Sequence, residues 1–99
     1  TYAYTSSKAA LHQLTIHLAS QLARQHITAN VIAPGMFPSK MLAGTLERKG
    51  HDAMVEPIPM KRRAGPSDMA GAAIYLASRA GAYVTGAVIP VDGGYATTL

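Results

Sequence analysis

The stretch Tyr4-Thr5-Ser6-Ser7-Lys8 stands near the start of the longest helical pattern in the chain. Residues four apart on an α-helix are separated by about one turn, so the phenol and the ammonium project from the same face. A free tyrosine is a poor proton donor at neutral pH, because its usual pKa is ~10. A nearby ammonium stabilises the phenolate, and such a phenol can exchange a proton with a carbonyl or alcohol oxygen. Tyr4 and Lys8 are therefore a candidate acid–base pair.

A long helix is predicted around this pair, from about Tyr2 to Arg24. No proline interrupts it, its alanines favour helix formation, and its leucines recur at spacings of three and four: Leu11, Leu14, Leu18 and Leu22. The histidines on or just after it do not form a cluster with metal-ligand spacing. We therefore expect solvent-facing histidines and no metal site at His12, His17 and His26.

The helix leads into a strand predicted over residues 27–33. This run is almost entirely apolar, which is typical of a parallel strand covered on both faces. We expect Asn30 within it to have a structural role rather than a catalytic one. Pro34 and Gly35 end the strand. Glycine permits a ligand to approach the backbone closely, although a plain strand-to-loop turn explains the same two residues.

The second half of the chain predicts short helices, one regular helix and a last strand. Residues 40–59 mix Met and Leu with Gly and Pro, which favours two short mobile helices, and their apolar side chains suit either an adaptable surface or packing against the fold. Gly65-Pro66-Ser67-Asp68 begins the regular helix, since Pro suits the first helical position and Asp is a favourable first-turn anion. Gly81 stops this helix, and a strand over 86–91 precedes Asp92-Gly93-Gly94. The predicted buried stripe of the helix is Met69, Ala73, Leu76 and Ala77.

The composition is that of one small globular domain. The chain has 99 residues, 48% of them apolar, and no apolar run approaches the ~20 residues of a membrane span. The absence of Cys excludes disulfide bonds and fits a reducing compartment. Part of the net charge of +4 comes from the basic runs 61–63 and 48–49. Such runs are most often solvated surface charge, so nucleic-acid binding is the weaker alternative.

These motifs, in this order and at these intervals, resemble the C-terminal part of a short-chain dehydrogenase/reductase. The resemblance covers essentially all 99 residues. Residues 34–41 look most like the branch of 3-oxoacyl-carrier-protein reductases of the rhamnolipid type. The residues that carry the family resemblance are Tyr4 and Lys8, Asn30-Val31-Ile32-Ala33-Pro34-Gly35, Thr85-Gly86 and Val91-Asp92-Gly93-Gly94.

The resemblance implies an α/β fold, in which residues 1–99 are the C-terminal part of a doubly wound, parallel-sheet Rossmann domain. The implied order is long helix, strand, lid helices, helix and strand. The N-terminal half of the domain is expected upstream of Tyr4. That half would hold the Gly-rich phosphate loop, the residue that chooses between NAD and NADP, and the family's active-site Ser and Asn.

The resemblance also implies the roles of individual residues. Tyr4 is the acid–base group, and Lys8 assists it and hydrogen-bonds the nicotinamide ribose. The turn after the strand lies beside the nicotinamide, with NADP favoured over NAD as the cofactor. The implied cofactor-binding residues are Tyr4, Lys8, Pro34, Gly35, the main chain at Phe37 and the hydroxyl of Ser39.

Three positions depart from the pattern of the family. His26 stands where a Gly usually makes a left-handed turn, and His tolerates a positive φ better than most residues, so we expect mild strain and an unchanged path. Lys61 and Ala64 also stand where Gly is usual. These two put the conformation of their loop in doubt but not the fold.

The implied function is reversible hydride transfer between NADP or NAD and a carbonyl or alcohol, with a small molecule or an acyl thioester as substrate. In such a reductase the basic runs 61–63 and 48–49 have a further alternative role, contact with an acidic carrier protein or a phosphorylated thioester. We expect the complete protein to form a homo-oligomer, a tetramer or a dimer, without nucleic-acid or membrane partners. A cytoplasmic location is expected, and organellar targeting stays open because the chain opens on Thr1 rather than Met. The alternative is an inactive fragment that serves as an oligomerisation module. On its own, the chain is expected neither to bind the cofactor tightly nor to catalyse.

Overall fold

The computed structural model describes residues 2–37, 44, 47–48 and 50–96. In chain order these contain helix α1 (Tyr2–Leu22), strand β1 (Val31–Pro34), helices α2 (His51–Val55) and α3 (Pro66–Ala77), and strand β2 (Val88–Val91). Short 3₁₀-helices follow α1 at Ala23–Gln25 and α3 at Arg79–Gly81. The order of elements and the α/β class are those predicted. None of the described helices is both long and apolar enough to cross a membrane.

Strands β1 and β2 form a parallel pair, as predicted. The amide of Val31 donates to the carbonyl of Ala87, and the amide of Gly35 donates to the carbonyl of Val91. Partners therefore advance in the same direction along both strands, which defines a parallel ladder. The predicted strands over 27–33 and 86–91 are too long, and residues 27–28 are exposed rather than covered. Among the described residues, the two strands are each other's only hydrogen-bonded neighbours. Each strand has 4 residues, so the regular ladder is short.

The chain divides into two compact units, which are described separately. The first unit comprises Thr1–Ile32 and Ile74–Ile89, and the second comprises Ala33–Ala73 and Pro90–Leu99. The candidate acid–base pair belongs to the first unit. The turn after β1 and both cavities described below belong to the second.

The buried face of α1 is narrow and made of small side chains. Only Thr15 and Ala19 are buried along this helix, and a Cβ at Gly86 would lie 3.5 Å from the Cβ of Ala19. The leucines that predicted the helix do not mark its buried face: Leu11, Leu14 and Leu18 are 47, 52 and 40% exposed. His12, expected to face solvent, is half-buried one turn from Thr15. The close approach of the backbone selects small residues here.

The turn after α1 confirms the prediction made for His26. Its φ of 60° and ψ of 32° are left-handed, and its amide donates to the carbonyl of Ala23 at 3.0 Å. The amide of Ile27 then donates to the carbonyl of Leu22 at 3.3 Å. A histidine therefore adopts the conformation that usually requires glycine, and the chain path is kept.

Asn30 has the structural role predicted for it. Its Nδ2 donates to the carbonyl of Val84 at 3.0 Å, and its Oδ1 accepts from the amide of Ala87 at 2.9 Å. Beside it, the amide of Ala29 donates to the hydroxyl of Thr85 at 3.1 Å. These bonds align the two strands where their regular ladder has not yet begun, which satisfies backbone groups that would otherwise be unpaired.

The core of the second unit is built by α2 and the turn after it. Met54, Val55 and Ile58 are 3, 8 and 2% exposed. Of the two possibilities raised for residues 40–59, packing within the fold is therefore the one observed at these positions. Most of residues 40–49 lie outside the described residues, and movement of the segment over a ligand stays a prediction.

Helix α3 begins where the sequence predicts, but the prediction of its buried stripe is partly wrong. Pro66 is the first residue, and Met69 and Leu76 are half-buried. Ala73 and Ala77, predicted to be buried, are exposed. The helix ends at Ala77, and Gly81 closes the 3₁₀-helix that follows. A Cβ at Gly81 would lie 2.8 Å from the Cα of Leu76, so this position has no room for a side chain.

Candidate functional site

Tyr4 and Lys8 lie on one face of α1, as the spacing predicts. The Nζ of Lys8 is 5.4 Å from the centre of the Tyr4 ring, and Tyr4 is 59% exposed. This distance is within the range of a cation–π contact, which holds the ammonium next to the aromatic ring. Within the part of the chain that the structure describes, Lys8 has no carboxylate at ion-pair distance. Both polar groups are therefore available to a ligand.

The serine before Lys8 serves the helix itself. The hydroxyl of Ser7 donates to the carbonyl of Tyr4 at 2.7 Å, one turn back along α1. Serine commonly makes this bond when it lies inside a helix. Ser7 is thus engaged with the backbone of α1.

The turn after β1 is shaped by close packing. A Cβ on Gly35 would lie 2.7 Å from both the Cα and the Cβ of Asp92, which is closer than real Cβ contacts allow. The amide of Phe37 donates to the carbonyl of Gly35 at 3.1 Å, so that donor is already engaged. Ser39, also predicted to contact the cofactor, lies outside the described residues. Packing against Asp92 explains why position 35 requires glycine.

Asp92 organises the loop after β2, a role that its place in the Val91-Asp92-Gly93-Gly94 motif does not predict by itself. Its Oδ1 accepts from the amide of Gly94 at 2.9 Å, and its Oδ2 accepts from the amide of Ala96 at 3.0 Å. Gly93 and Gly94 have φ angles of 64° and 92°. This loop borders a cavity of about 450 Å³ within the second unit, whose other lining residues include Met36, Ile58 and Met60. An aspartate followed by two glycines predicts a turn. The cavity beside this loop is lined by several segments of the second unit, so the sequence does not predict it.

Arg62 and Asp68 form a two-pronged ion pair before α3. The Nη1 and Nη2 of Arg62 donate to the two carboxylate oxygens at 2.9 and 3.0 Å, and the amide of Gly65 donates to Oδ2 at 2.7 Å. These hydrogen bonds, the one from Arg62 first, lower the pKa of Asp68 from 3.8 to about 2. The predicted first-turn anion thus also ties the preceding loop to the helix.

The ion pair predicts an acid-sensitive contribution to stability. A lowered folded-state pKa means that the contribution is complete above 3.8 and disappears as the pH falls through about 2. Asp68→Asn should lower the Tm of the complete protein by roughly a few °C at neutral pH, because the pair is partly exposed. Thermal unfolding measured between pH 6 and pH 2 should show the two proteins converging at the acid end. Asp52→Asn is the control, and a constant difference at every pH would refute the assignment.

Lys61 keeps a left-handed conformation without glycine. Its φ is 54°, and its amide donates to the carbonyl of Ile58 at 2.9 Å. Its Nζ lies 3.3 Å from the Oε1 of Glu56. The left-handed turn that glycine usually makes in this loop is therefore made by a lysine. Ala64 does not need glycine, since its φ is not positive.

Comparison with known proteins identifies the family. The family described as Enoyl-(Acyl carrier protein) reductase matches residues 1–96. A curated relative from Pseudomonas aeruginosa, named Rhamnolipids biosynthesis 3-oxoacyl-[acyl-carrier-protein] reductase, is 53% identical over 95 residues, which are 95% of this chain and 37% of the relative. The Galactitol 2-dehydrogenase (L-tagatose-forming) of Cereibacter sphaeroides is 43% identical over 93 residues, which are 93% of this chain and 37% of that protein.

Solved structures agree with the sequence comparison. The Pseudomonas aeruginosa RhlG/NADP active-site complex superimposes with a TM-score of 0.85 at 52% identity, covering 95% of this chain and 38% of that one. The chain thus spans a little over a third of the length of these relatives. With a family match over residues 1–96, the predicted order of elements and a shared Rossmann-type fold, the chain belongs to the short-chain dehydrogenase/reductase family.

Proposed function

We propose that this chain supplies the proton-transfer pair and part of the nicotinamide site of an NADP-dependent oxidoreductase, which interconverts a carbonyl and an alcohol. The observation that carries the proposal is the Tyr4–Lys8 pair, with the ammonium 5.4 Å from the ring centre and both side chains exposed on α1. An acid next to a fixed cation is suited to protonating an oxyanion.

Tyr4 is the proposed proton donor in the direction of reduction. As the carbonyl carbon is reduced, its oxygen gains negative charge, and the phenol transfers its proton to that oxygen. In the direction of oxidation the phenolate takes the proton back. Lys8 keeps its ammonium beside the same ring, 5.4 Å from the ring centre.

The described residues fit a nicotinamide nucleotide in two respects. The exposed ammonium of Lys8 can donate to ribose hydroxyls, and Pro34 and Gly35 leave β1 at its carboxyl end, where open α/β sheets bind ligands. Two further contacts on the nicotinamide side are proposed. They come from the hydroxyl of Ser39 and from the main-chain carbonyl of Phe37, because the Phe37 amide already donates to Gly35. NADPH, when bound, supplies the hydride. NADP is preferred to NAD because it is named in the Pseudomonas aeruginosa complex.

The proposed substrate is a 3-oxoacyl thioester. The support for it is the name of the 53% identical relative, a 3-oxoacyl-[acyl-carrier-protein] reductase. A sugar alcohol is the alternative substrate, because the relative at 43% identity is a galactitol dehydrogenase. The other alternative, an inactive chain that acts only as an oligomerisation module, gains no support from these relatives. The oligomeric state stays a prediction.

Lys8→Met tests the proposed cofactor contact. A hydrogen bond from a charged donor contributes about 1.5–3 kcal/mol, so the variant should bind NADPH roughly tenfold or more weakly. Fluorescence titration of the complete protein with NADPH measures this affinity directly. Lys61→Met is the matched control, since it removes an equal charge from a lysine that pairs with Glu56. Unchanged affinity in Lys8→Met, or an equal loss in both variants, would exclude the proposed ribose contact.

A further inference from the structure

Arg63 is a partly buried cation without a partner in the described structure. Its Nε is buried and makes no hydrogen bond, and no carboxylate among the described residues pairs with it. Neighbouring cations differ: Lys61 pairs with Glu56, and Arg62 pairs with Asp68. Leaving a buried donor unsatisfied is costly, and more so for a charged group. The buried Nε is closed to ligands, but an anion bound at the other N–H groups of the guanidinium would balance its charge.

The side chain borders a cavity of about 530 Å³ within the second unit, whose lining residues also include His51, Ser67 and Asp68. The hydroxyl of Ser67 makes no hydrogen bond to the described residues, and His51 is exposed. Asp68 does not repel an anion strongly here, because Arg62 and the amide of Gly65 already bind its carboxylate. The groups left to bind a ligand are therefore all capable of donating hydrogen bonds.

We propose that Arg63, His51 and Ser67 form a binding site for a phosphate group. A guanidinium, an imidazole and a hydroxyl provide several donors around one cavity, and a phosphate offers several acceptor oxygens to match them. Two sources of this chemistry are possible: free inorganic phosphate, or the phosphate ester of a pantetheine-type thioester. The site needs neither Tyr4 nor a hydride donor, and only its second source, the thioester, rests on the proposed function.

The test is a comparison of three probes by calorimetry on the complete protein without NADPH. The probes are inorganic phosphate, 4′-phosphopantetheine and pantetheine, which lacks the phosphate. We expect 4′-phosphopantetheine to bind at least tenfold more tightly than pantetheine if the ester is the ligand. Inorganic phosphate binding as tightly as the ester would identify free phosphate as the source. Binding of all three probes with equal affinity, or of none, would overturn the proposal.

Substitution of Arg63 provides the second arm. Arg63→Gln should abolish the preference for phosphate-bearing probes, whereas Arg79→Gln, a change of an exposed arginine outside this cavity, should keep it. Phosphate should also raise the Tm of the wild type and of Tyr4→Phe, but not the Tm of Arg63→Gln. If Arg63→Gln does not fold, Ser67→Ala should still weaken phosphate binding severalfold. An equal response of the Arg63 and Arg79 variants to phosphate would reduce the effect to general surface charge and refute the site.

Discussion

Replacing Tyr4 by Phe is expected to lower kcat of the complete protein about a hundredfold or more, because the loss of a general acid typically costs that much. The substitution removes one hydroxyl and keeps the ring, so the contact with the ammonium of Lys8 at 5.4 Å from the ring centre is retained. NADPH affinity should therefore change little. The loss should fall on kcat rather than on cofactor binding, which distinguishes a missing proton donor from a damaged site.

Tyr2→Phe is the matched control for this result. Tyr2 lies on the same helix and is 91% exposed. Among the described residues no lysine lies over its ring, whereas Lys8 lies over the ring of Tyr4. Its variant should keep the activity of the wild type. Steady-state kinetics with a 3-oxoacyl thioester and NADPH measure both variants. Full turnover in Tyr4→Phe would show that another group transfers the proton.

Gly35→Ala is expected to lower the free energy of unfolding by about 1–3 kcal/mol or more, as overpacking does. The new methyl group would lie 2.7 Å from the Cα and Cβ of Asp92. Neither the turn at Gly35 nor the loop at Asp92 can move away easily. The amide of Gly35 is bonded to Val91 in the ladder, and the carboxylate of Asp92 is held by the amides of Gly94 and Ala96. The turn and the loop must therefore separate to admit the methyl.

Gly71→Ala should have the opposite effect, and it provides the control. Gly71 lies inside α3, and a Cβ there would contact nothing within 4 Å. Alanine favours the helix, so the variant should be more stable by about 0.4–1 kcal/mol. Denaturant unfolding without cofactor separates packing from ligand binding at position 35. Equal stability of Gly35→Ala and wild type would show that the turn opens freely.

Features set by local chemistry were predicted from the sequence, whereas features set by distant contacts were not. The spacing of Tyr4 and Lys8, the left-handed turn at His26 and the start of α3 at Pro66 depend on residues within a turn of each other. The buried face of α1 depends instead on which segment packs against it. Small residues at Thr15 and Ala19 make that contact, and the leucines remain exposed.

The same distinction applies to the site. The contact of Gly35 with Asp92 joins the two ends of the second unit, and no motif within either segment announces it. The sequence favours solvated charge for the basic run 61–63, which fits the exposed side chains of Lys61 and Arg62. Arg63 differs because its Nε is buried without a partner, and only the fold reveals this. Ser39 lies outside the described residues, so its role stays a prediction.

The most direct test of Tyr4 and Lys8 as the proton-transfer pair of an NADP-dependent reductase is one stoichiometric assay. The complete protein is mixed with NADPH and a 3-oxoacyl thioester, and the loss of NADPH absorbance is compared with the amount of 3-hydroxyacyl product. We expect equimolar conversion by the wild type and a rate lower by about a hundredfold or more in Tyr4→Phe. The assignment would be contradicted if Tyr4→Phe produced the alcohol as fast as the wild type.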